Sequence, residues 1–368
     1  MKIKHIIYTL LSILILAGCE KEEVIIPKES LRTVLVYMAA DNSLGSSNFD
    51  KQNISSMLKG ATDESLNGGN LIVYKDSPDT IPQLIQITPA GERVLREYPE
   101  HQNSVSVATM QEIISEVIQE FPADSYGLIL WSHGSNWFPS KMATRAFGQD
   151  KTNWMELSDL QQALPDNGFE FIIFDACYMA GVEVMYAMKN KADYMIAAPT
   201  EIMGSGFPYS DIIKPMFAKK TGYQEICDNF YSYYADSSTP FATISLISTQ
   251  GLDQLATATR NIMKTSFDKT DEIDLNDLQR YFRPKYYGMY DFDDYISRIA
   301  PDDLYAQFQT AMNNAVLYKK NTDSFMLGYS GGYYITHYSG LSSFIIRESY
   351  GAVNQEYAKL DWYKAVYE

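Results

Sequence analysis

Short apolar runs bounded by polar and turn-forming residues recur along the chain. Between them lie segments whose apolar residues fall at three- and four-residue steps. The runs read as buried strands and the stepped segments as amphipathic helices. Residues 32–38 (RTVLVYM) form the first predicted strand, its run ending at Asp41-Asn42; residues 70–76 (NLIVYKD) form the second, entered through Asn67-Gly68-Gly69. Residues 83–88 and 93–98 mix polar and apolar positions on either side of Pro89-Ala90-Gly91, as an exposed hairpin does. Val107, Met110, Ile113, Ile114, Val117, Ile118 and Phe121 mark a helix over 105–121.

Residues 126–132 (YGLILWS) read as a buried strand that ends at His133-Gly134. Residues 135–155 read as a long loop, with a short helix at 157–164 after it. Another strand over 169–174 ends at Asp175-Ala176-Cys177, with a helix expected over 178–190 directly afterwards. A strand at 194–198, a helix at 223–236, a strand at 242–247 and a helix at 252–267 follow. Strands alternating with helices favour an α/β fold built on a mainly parallel sheet covered on both faces. Beyond about residue 268 the pattern changes: acidic helical segments lead to an aromatic, glycine-containing stretch, 325–346, that reads as strands, and a last helix is expected near 355–367. This C-terminal part, 269–368, reads either as a subdomain or as an extension of the sheet formed within 32–268.

Composition narrows the picture. With 368 residues, 46% of them apolar and 21% charged, the chain has material for a sizeable globular core, in one large domain or two smaller ones. Its N-terminus is different in kind. Lys2 and Lys4 precede an apolar run from Ile6 to Leu16, which closes with Leu16-Ala17-Gly18-Cys19. That is the layout of a secretory signal over 1–18, too short and wrongly flanked for a spanning helix. The small residues before Cys19 resemble the lipobox of bacterial lipoproteins. The resemblance implies cleavage before Cys19, lipid on its thiol, and a tether over 19–31 that holds the protein at a membrane of the cell envelope, outside the cytoplasm, on the periplasmic side or at the cell surface.

A formal charge of −16 repels phosphate backbones, so nucleic acid is a poor partner and a cationic ligand a better one. Three cysteines are too few for a disulfide framework, and lipidation consumes Cys19, leaving Cys177 and Cys227. Cys227 falls within the apolar spacing of the 223–236 helix, where a small buried thiol is ordinary. Cys177 stands at a strand end. Ligands of open α/β sheets bind beyond the carboxyl ends of the strands. Of the four histidines, His5 lies in the signal, His101 in a polar loop and His337 in an expected strand; His133 alone shares the strand-end placement of Cys177. A thiol at the start of a helix, with an imidazole near it, is a nucleophile suited to acyl transfer, the imidazole donating a proton to the departing amine. Gly134, without a Cβ, lets its backbone N–H approach a bound carbonyl and, with the N–H of Cys177, form an oxyanion site; a simple turn glycine is the alternative. Serine-hydrolase chemistry is disfavoured, because Gly204-Ser205-Gly206 lacks the spacing of a nucleophile elbow.

At these residues the chain resembles the clostripain-like cysteine peptidases, relatives of the caspases, legumains and gingipains. The shared pattern is His133-Gly134 in WSHGSNW and Ala176-Cys177 in FDACYMAG. YMAADNSL at 37–44, RAFGQD at 145–150, HYSGLSSF and the terminal LDWYKAV add to it. The resemblance implies a caspase-like three-layer α/β/α sandwich, a Cys177 nucleophile, a His133 acid and base, and cleavage after arginine or lysine. It also implies an S1 acid two residues before the nucleophile, Asp175, whose carboxylate suits a guanidinium. Processing after Lys141 or Arg145, in the loop between the two strands, is a further expectation. The segment APTEIMGSGFPY departs from the pattern: a serine-glutamate pair and a glycine-tryptophan are expected there, and Thr200, Glu201 and Phe207 stand in their place. No cofactor is required. Calcium, which stimulates some relatives, stays open as an activator: the acidic surface could bind it, although no D-x-D-x-D-G loop is present. Two other readings use the same residues: a peptide-binding lipoprotein that has lost turnover, and a cysteine-dependent transpeptidase that passes the acyl group to an amine.

Overall fold

The computed structural model describes residues 30–78, 80–99, 102–138, 147–237, 240–282 and 288–368; Cys19, His101, Lys141 and Arg145 lie outside the described residues. The strands in chain order are β1 (Ser30–Ala39), β2 (Asn70–Ser77), β3 (Thr80–Thr88), β4 (Gly91–Glu97), β5 (Ala123–Trp131), β6 (Phe147–Asp150), β7 (Asn153–Met155), β8 (Phe169–Asp175), β9 (Ala192–Ala197), β10 (Thr243–Ser248), β11 (Met289–Asp291) and β12 (Val316–Asn321). Nine of them make one sheet in the order β12-β10-β9-β8-β5-β1-β2-β3-β4. Its centre, β2-β1-β5-β8-β9, is parallel, and antiparallel strands close both sides.

Helices α1 (Ser43–Ser46), α2 (Phe49–Gly60) and α3 (Asp63–Leu66) follow β1, and α4 (Val107–Glu120) precedes β5. α5 (Leu157–Ala163) and α6 (Val182–Ala187) flank β8, and α7 (Tyr209–Phe217) and α8 (Tyr223–Ala235) lead to β10. α9 (Leu252–Ser266), α10 (Phe292–Ile299), α11 (Asp302–Ala315), α12 (Gly351–Tyr357) and α13 (Asp361–Tyr367) complete the chain.

Alternate residues of the central strands feed two separate cores, because successive side chains point to opposite faces of a sheet. Leu35 and Tyr37 of β1, Leu128 and Leu130 of β5, and Ile172 and Phe174 of β8 pack with α4, α5, α6 and the C-terminal helices. Val34, Val36, Ile129, Trp131, Phe171 and Ile173 pack with α2, α7 and α8. Both faces are therefore covered, which is why these strands read as continuous apolar runs, and the result is a three-layer α/β/α sandwich. Each such residue contributes about 1.5–3 kcal/mol over an exposed one. At the amino ends of the strands, Arg32 pairs with Glu170 at 2.6 Å and donates to the carbonyls of Met216 and Ala218, pinning α7 under the sheet.

Three local expectations are corrected. The 135–155 loop contains a hairpin, β6 with β7, whose Trp154 stacks on His133 with ring centroids 6.2 Å apart. The helix after β8 begins only at Val182, since Ala176 to Gly181 follow an irregular path. The 325–346 stretch is mostly irregular: Ser324–Phe325 pairs with Tyr333–Tyr334, and Ser342–Phe344 with β11. His337 accordingly sits in irregular backbone and not in a strand. β12 enters the main sheet beside β10, and buried Glu183 of α6 ties in the last segment, accepting from Phe344 N–H at 2.8 Å and from the Tyr357 hydroxyl at 3.2 Å. Burial pushes the Glu183 carboxyl up to about 7.

Candidate active site

The site begins with strand register. Trp131 is the Cα partner of Asp175 across the parallel β5–β8 pair, so the two chains leave the sheet side by side. Two residues later on each comes His133 and Cys177. Both line a pocket of about 260 Å3 together with Asp175, Glu201, Leu44 and Met203. Gly134 packs directly on the neighbouring turn: a Cβ there would stand 2.6 Å from the carbonyl oxygen of Cys177 and 3.1 Å from Ala176 Cβ. A glycine is needed for that approach.

The two turns are also stitched together by polar groups. Asn136, fully buried and at φ 65°, donates through Nδ2 to the carbonyl of Tyr178 at 2.9 Å and accepts from Trp137 N–H. Tyr178, next to the thiol, is held at φ 65°, a conformation that costs a bulky residue about 1–3 kcal/mol. Its N–H donates to Thr200 O at 2.8 Å and its hydroxyl to Glu201 at 2.9 Å. The surroundings thus over-determine a strained turn and present Cys177 at its tip. The thiol donates to Ile202 O at 3.4 Å and accepts from Ile202 N–H at 3.3 Å. Because α6 starts at Val182, the thiol does not sit at a helix N-terminus, and the helix-dipole argument made from sequence does not apply.

His133 is half-buried against Trp154, and burial pushes its imidazole below the ordinary value, favouring the neutral, proton-accepting form. Its Nε2 lies 2.9 Å from Ser43 Oγ. Asp175 is only 4% exposed; one carboxylate oxygen accepts from Phe207 N–H at 3.1 Å and from the Tyr209 hydroxyl at 2.8 Å. Burial pushes its carboxyl up to about 6, the two hydrogen bonds opposing that rise. Gly206, at φ 63°, passes over this carboxylate, and a Cβ there would stand 2.5 Å from Oδ2. Among the described residues, no group of three or more His, Cys, Asp or Glu could hold a metal ion.

Set beside known proteins, the chain matches the model of the clostripain family over residues 36–368. It belongs to that family. The members of the family most like it include an inactive zymogen C11 protease from Parabacteroides distasonis, with 39% identity and a TM-score of 0.83 over 94% of this chain and 100% of that one. A secreted C11 cysteine protease from Bacteroides thetaiotaomicron, in complex with an irreversible peptide inhibitor, is 33% identical with a TM-score of 0.80, covering 92% and 99%. A further secreted C11 cysteine protease from the same organism, iotapain, is 27% identical with a TM-score of 0.81 over 92% and 100%. A search of curated proteins found no match. The chain is thus a clostripain-family cysteine peptidase on a caspase-like fold.

Four residues singled out from sequence, His133, Gly134, Asp175 and Cys177, meet at one edge of the sheet. Ser43 and Asn136 were missed as site residues. Both lie in strings already read as family-like, DNSL and HGSNW, but hydrogen-bond roles across 90 and 42 residues leave no local signal. A G-x-S-x-G string does occur, Gly328 to Gly332, contrary to the reading from Ser205 alone. It lies in a turn between the short strands at 324–325 and 333–334, not at a strand-to-helix elbow.

Proposed function

We propose that the protein is an endopeptidase in which Cys177 and His133 act as a dyad on peptide bonds that follow arginine or lysine. The shared pocket of His133, Cys177 and Asp175 carries this reading. Cys177 gives its thiol proton to neutral His133, and sulfur adds to the scissile carbonyl carbon. The carbonyl electrons move onto oxygen, facing the backbone N–H groups of Gly134 and Cys177, and return as the C–N bond breaks. The departing amine takes the proton from the imidazolium, leaving a thioester. Water, deprotonated by His133, then hydrolyses the thioester and restores the thiol. Asp175 faces the P1 side chain; a guanidinium or ammonium there holds its carboxyl ionised and offsets the desolvation that otherwise raises it.

Cys19 is taken as the lipid-bearing first residue of the mature chain, tethering the enzyme at the envelope. Among the described residues no helix is long and apolar enough to cross a membrane, and the relative from B. thetaiotaomicron is described as secreted. Cleavage after Lys141 or Arg145 is proposed as self-processing. A biotinylated acyloxymethyl ketone with arginine at P1 tests the dyad. Mass spectrometry finds the adduct on Cys177, and His133→Ala prevents it; an adduct elsewhere, or none, overturns the assignment. An added amine nucleophile that appears in the products identifies the transpeptidase variant of the same chemistry.

A further inference from the structure

Ser43 is the first residue of α1, capped by Asn42, whose Oδ1 accepts from Leu44 N–H. Its hydroxyl sits 2.9 Å from His133 Nε2. The residues immediately before each partner are themselves joined. Asn42 Nδ2 donates to Ala39 O at 2.9 Å, to Ser132 Oγ at 3.4 Å and to Gln149 O at 2.7 Å. Ser132 Oγ in turn donates to Ala39 O at 2.6 Å and accepts from Gln149 N–H at 3.1 Å. Asn42 and Ser132 are both buried, so the ends of β1, β5 and β6 form one rigid polar frame. From that frame Ser43 and His133 project one residue later on each chain. The His133 carbonyl is fixed as well, accepting from Gly148 N–H at 2.8 Å.

We propose that Ser43 is a positioning residue for the peptidase reaction, holding His133 by its Nε2–H so that Nδ1 is the nitrogen that exchanges the proton with Cys177. This rests on the Cys177–His133 reading above. The imidazole has two ring nitrogens, and whichever is engaged by a fixed partner leaves the other for chemistry. A serine hydroxyl accepts the Nε2 proton and orients the ring without adding a negative charge. The neutral imidazole favoured by burial is thereby retained, where a carboxylate partner would stabilise the imidazolium. Leu44, the next residue, lines the pocket, so α1 contributes both its wall and the partner of its histidine.

The test uses the purified full chain and three variants: Ser43→Ala, Ser43→Thr and His133→Ala. Loss of a hydrogen bond to a group that becomes charged lowers kcat about ten-fold in Ser43→Ala, with KM changed by less than about two-fold. Ser43→Thr keeps the hydroxyl and restores kcat. In 15N-detected NMR, His133 of the wild type shows the Nε2–H tautomer at pH 7.5, and Ser43→Ala shows a mixture of tautomers at an unchanged melting temperature. Wild-type kcat and an unchanged tautomer in Ser43→Ala overturn the inference. If His133→Ala is inactive in that case, the dyad stands and only the role of Ser43 falls. If His133→Ala stays active, both fall together.

Discussion

Two regions of the molecule each hold one cysteine and one histidine, and they use them in opposite ways. In the parallel centre, β5 and β8 end side by side and release His133 and Cys177 into one pocket. At the antiparallel side, Cys227 belongs to α8, which packs on β10, and is fully buried there; burial pushes its thiol far above the ordinary value. His337, in irregular backbone near β11, lies 3.0 Å from Asp293 and 3.7 Å from Asp291. The hydrogen bond to Asp293, and the neighbouring carboxylates after it, push His337 up, while burial alone pushes His133 down. The same residue types thus form the proposed reactive pair where parallel strands leave their carboxyl ends open, and elsewhere a buried packing thiol and a solvent-facing ion-pair partner.

The sharpest way to break this contrast is to exchange thiols for methyl groups. Cys177→Ala lowers kcat/KM on an arginyl peptide by on the order of 10^5-fold, whereas Cys227→Ala keeps wild-type turnover and loses about 1–2 kcal/mol of stability in urea unfolding. Iodoacetamide followed by peptide mapping modifies Cys177 and leaves Cys227 untouched; equal labelling of the two removes the distinction.

Gly134→Ala is next in size. Its Cβ would stand 2.6 Å from the Cys177 carbonyl, so the backbone must shift and the proposed oxyanion donors with it. A fall in kcat of about 10^2–10^3-fold with native circular dichroism is expected.

Asp175→Asn lowers kcat/KM for arginine at P1 about 10^2-fold. Its effect on stability has the opposite sign. The folded-state carboxyl is raised from 3.8 to about 6, so the stability it contributes is present below the unfolded value and lost as pH rises towards 6. At pH 8 the ionised buried carboxylate is a cost, and the Asn variant melts no lower than the wild type. In the wild type, kcat/KM on basic peptides falls as pH drops through about 6, where Asp175 takes up a proton.

The smallest effect belongs to His337. Its folded pKa is raised, so its pairing with Asp293 contributes stability that is fully present below the unfolded value and fades as pH rises through the folded one. The side chain is 40% exposed and the pair is screened by solvent. His337→Ala therefore lowers the melting temperature by a degree or so at pH 5.5, less at pH 8.5, and leaves turnover unchanged.

Much of this was legible in the sequence because the parallel centre obeys a simple rule: strands buried on both faces are apolar throughout, and the first polar residues after them mark the functional edge. His133 and Cys177 stand out for that reason. The turn after β8 was misread because Tyr178 to Asn190 has helical spacing, while bonds with Asn136, Thr200 and Glu201, distant in sequence, hold Tyr178 at positive φ and delay the helix to Val182. The aromatic stretch after residue 325 carries β-favouring side chains, yet its polar groups bond to distant partners. Gln279 Oε1 accepts from Thr336 N–H at 2.8 Å, and Asp291 from Ser339 N–H at 2.6 Å, in place of a ladder. Such long-range pairings leave no period to read.

The most direct test of the account is cleavage of a fluorogenic peptide series, alike except for Arg, Lys, Asp, Asn or Leu at P1, by wild type, Cys177→Ala and Asp175→Ala. The account predicts turnover confined to Arg and Lys, lost with Cys177 and reduced about 10^2-fold with Asp175. Wild-type cleavage after Asp, Asn or Leu that persists in Asp175→Ala would contradict the basic pocket, and turnover surviving in Cys177→Ala would contradict the dyad itself.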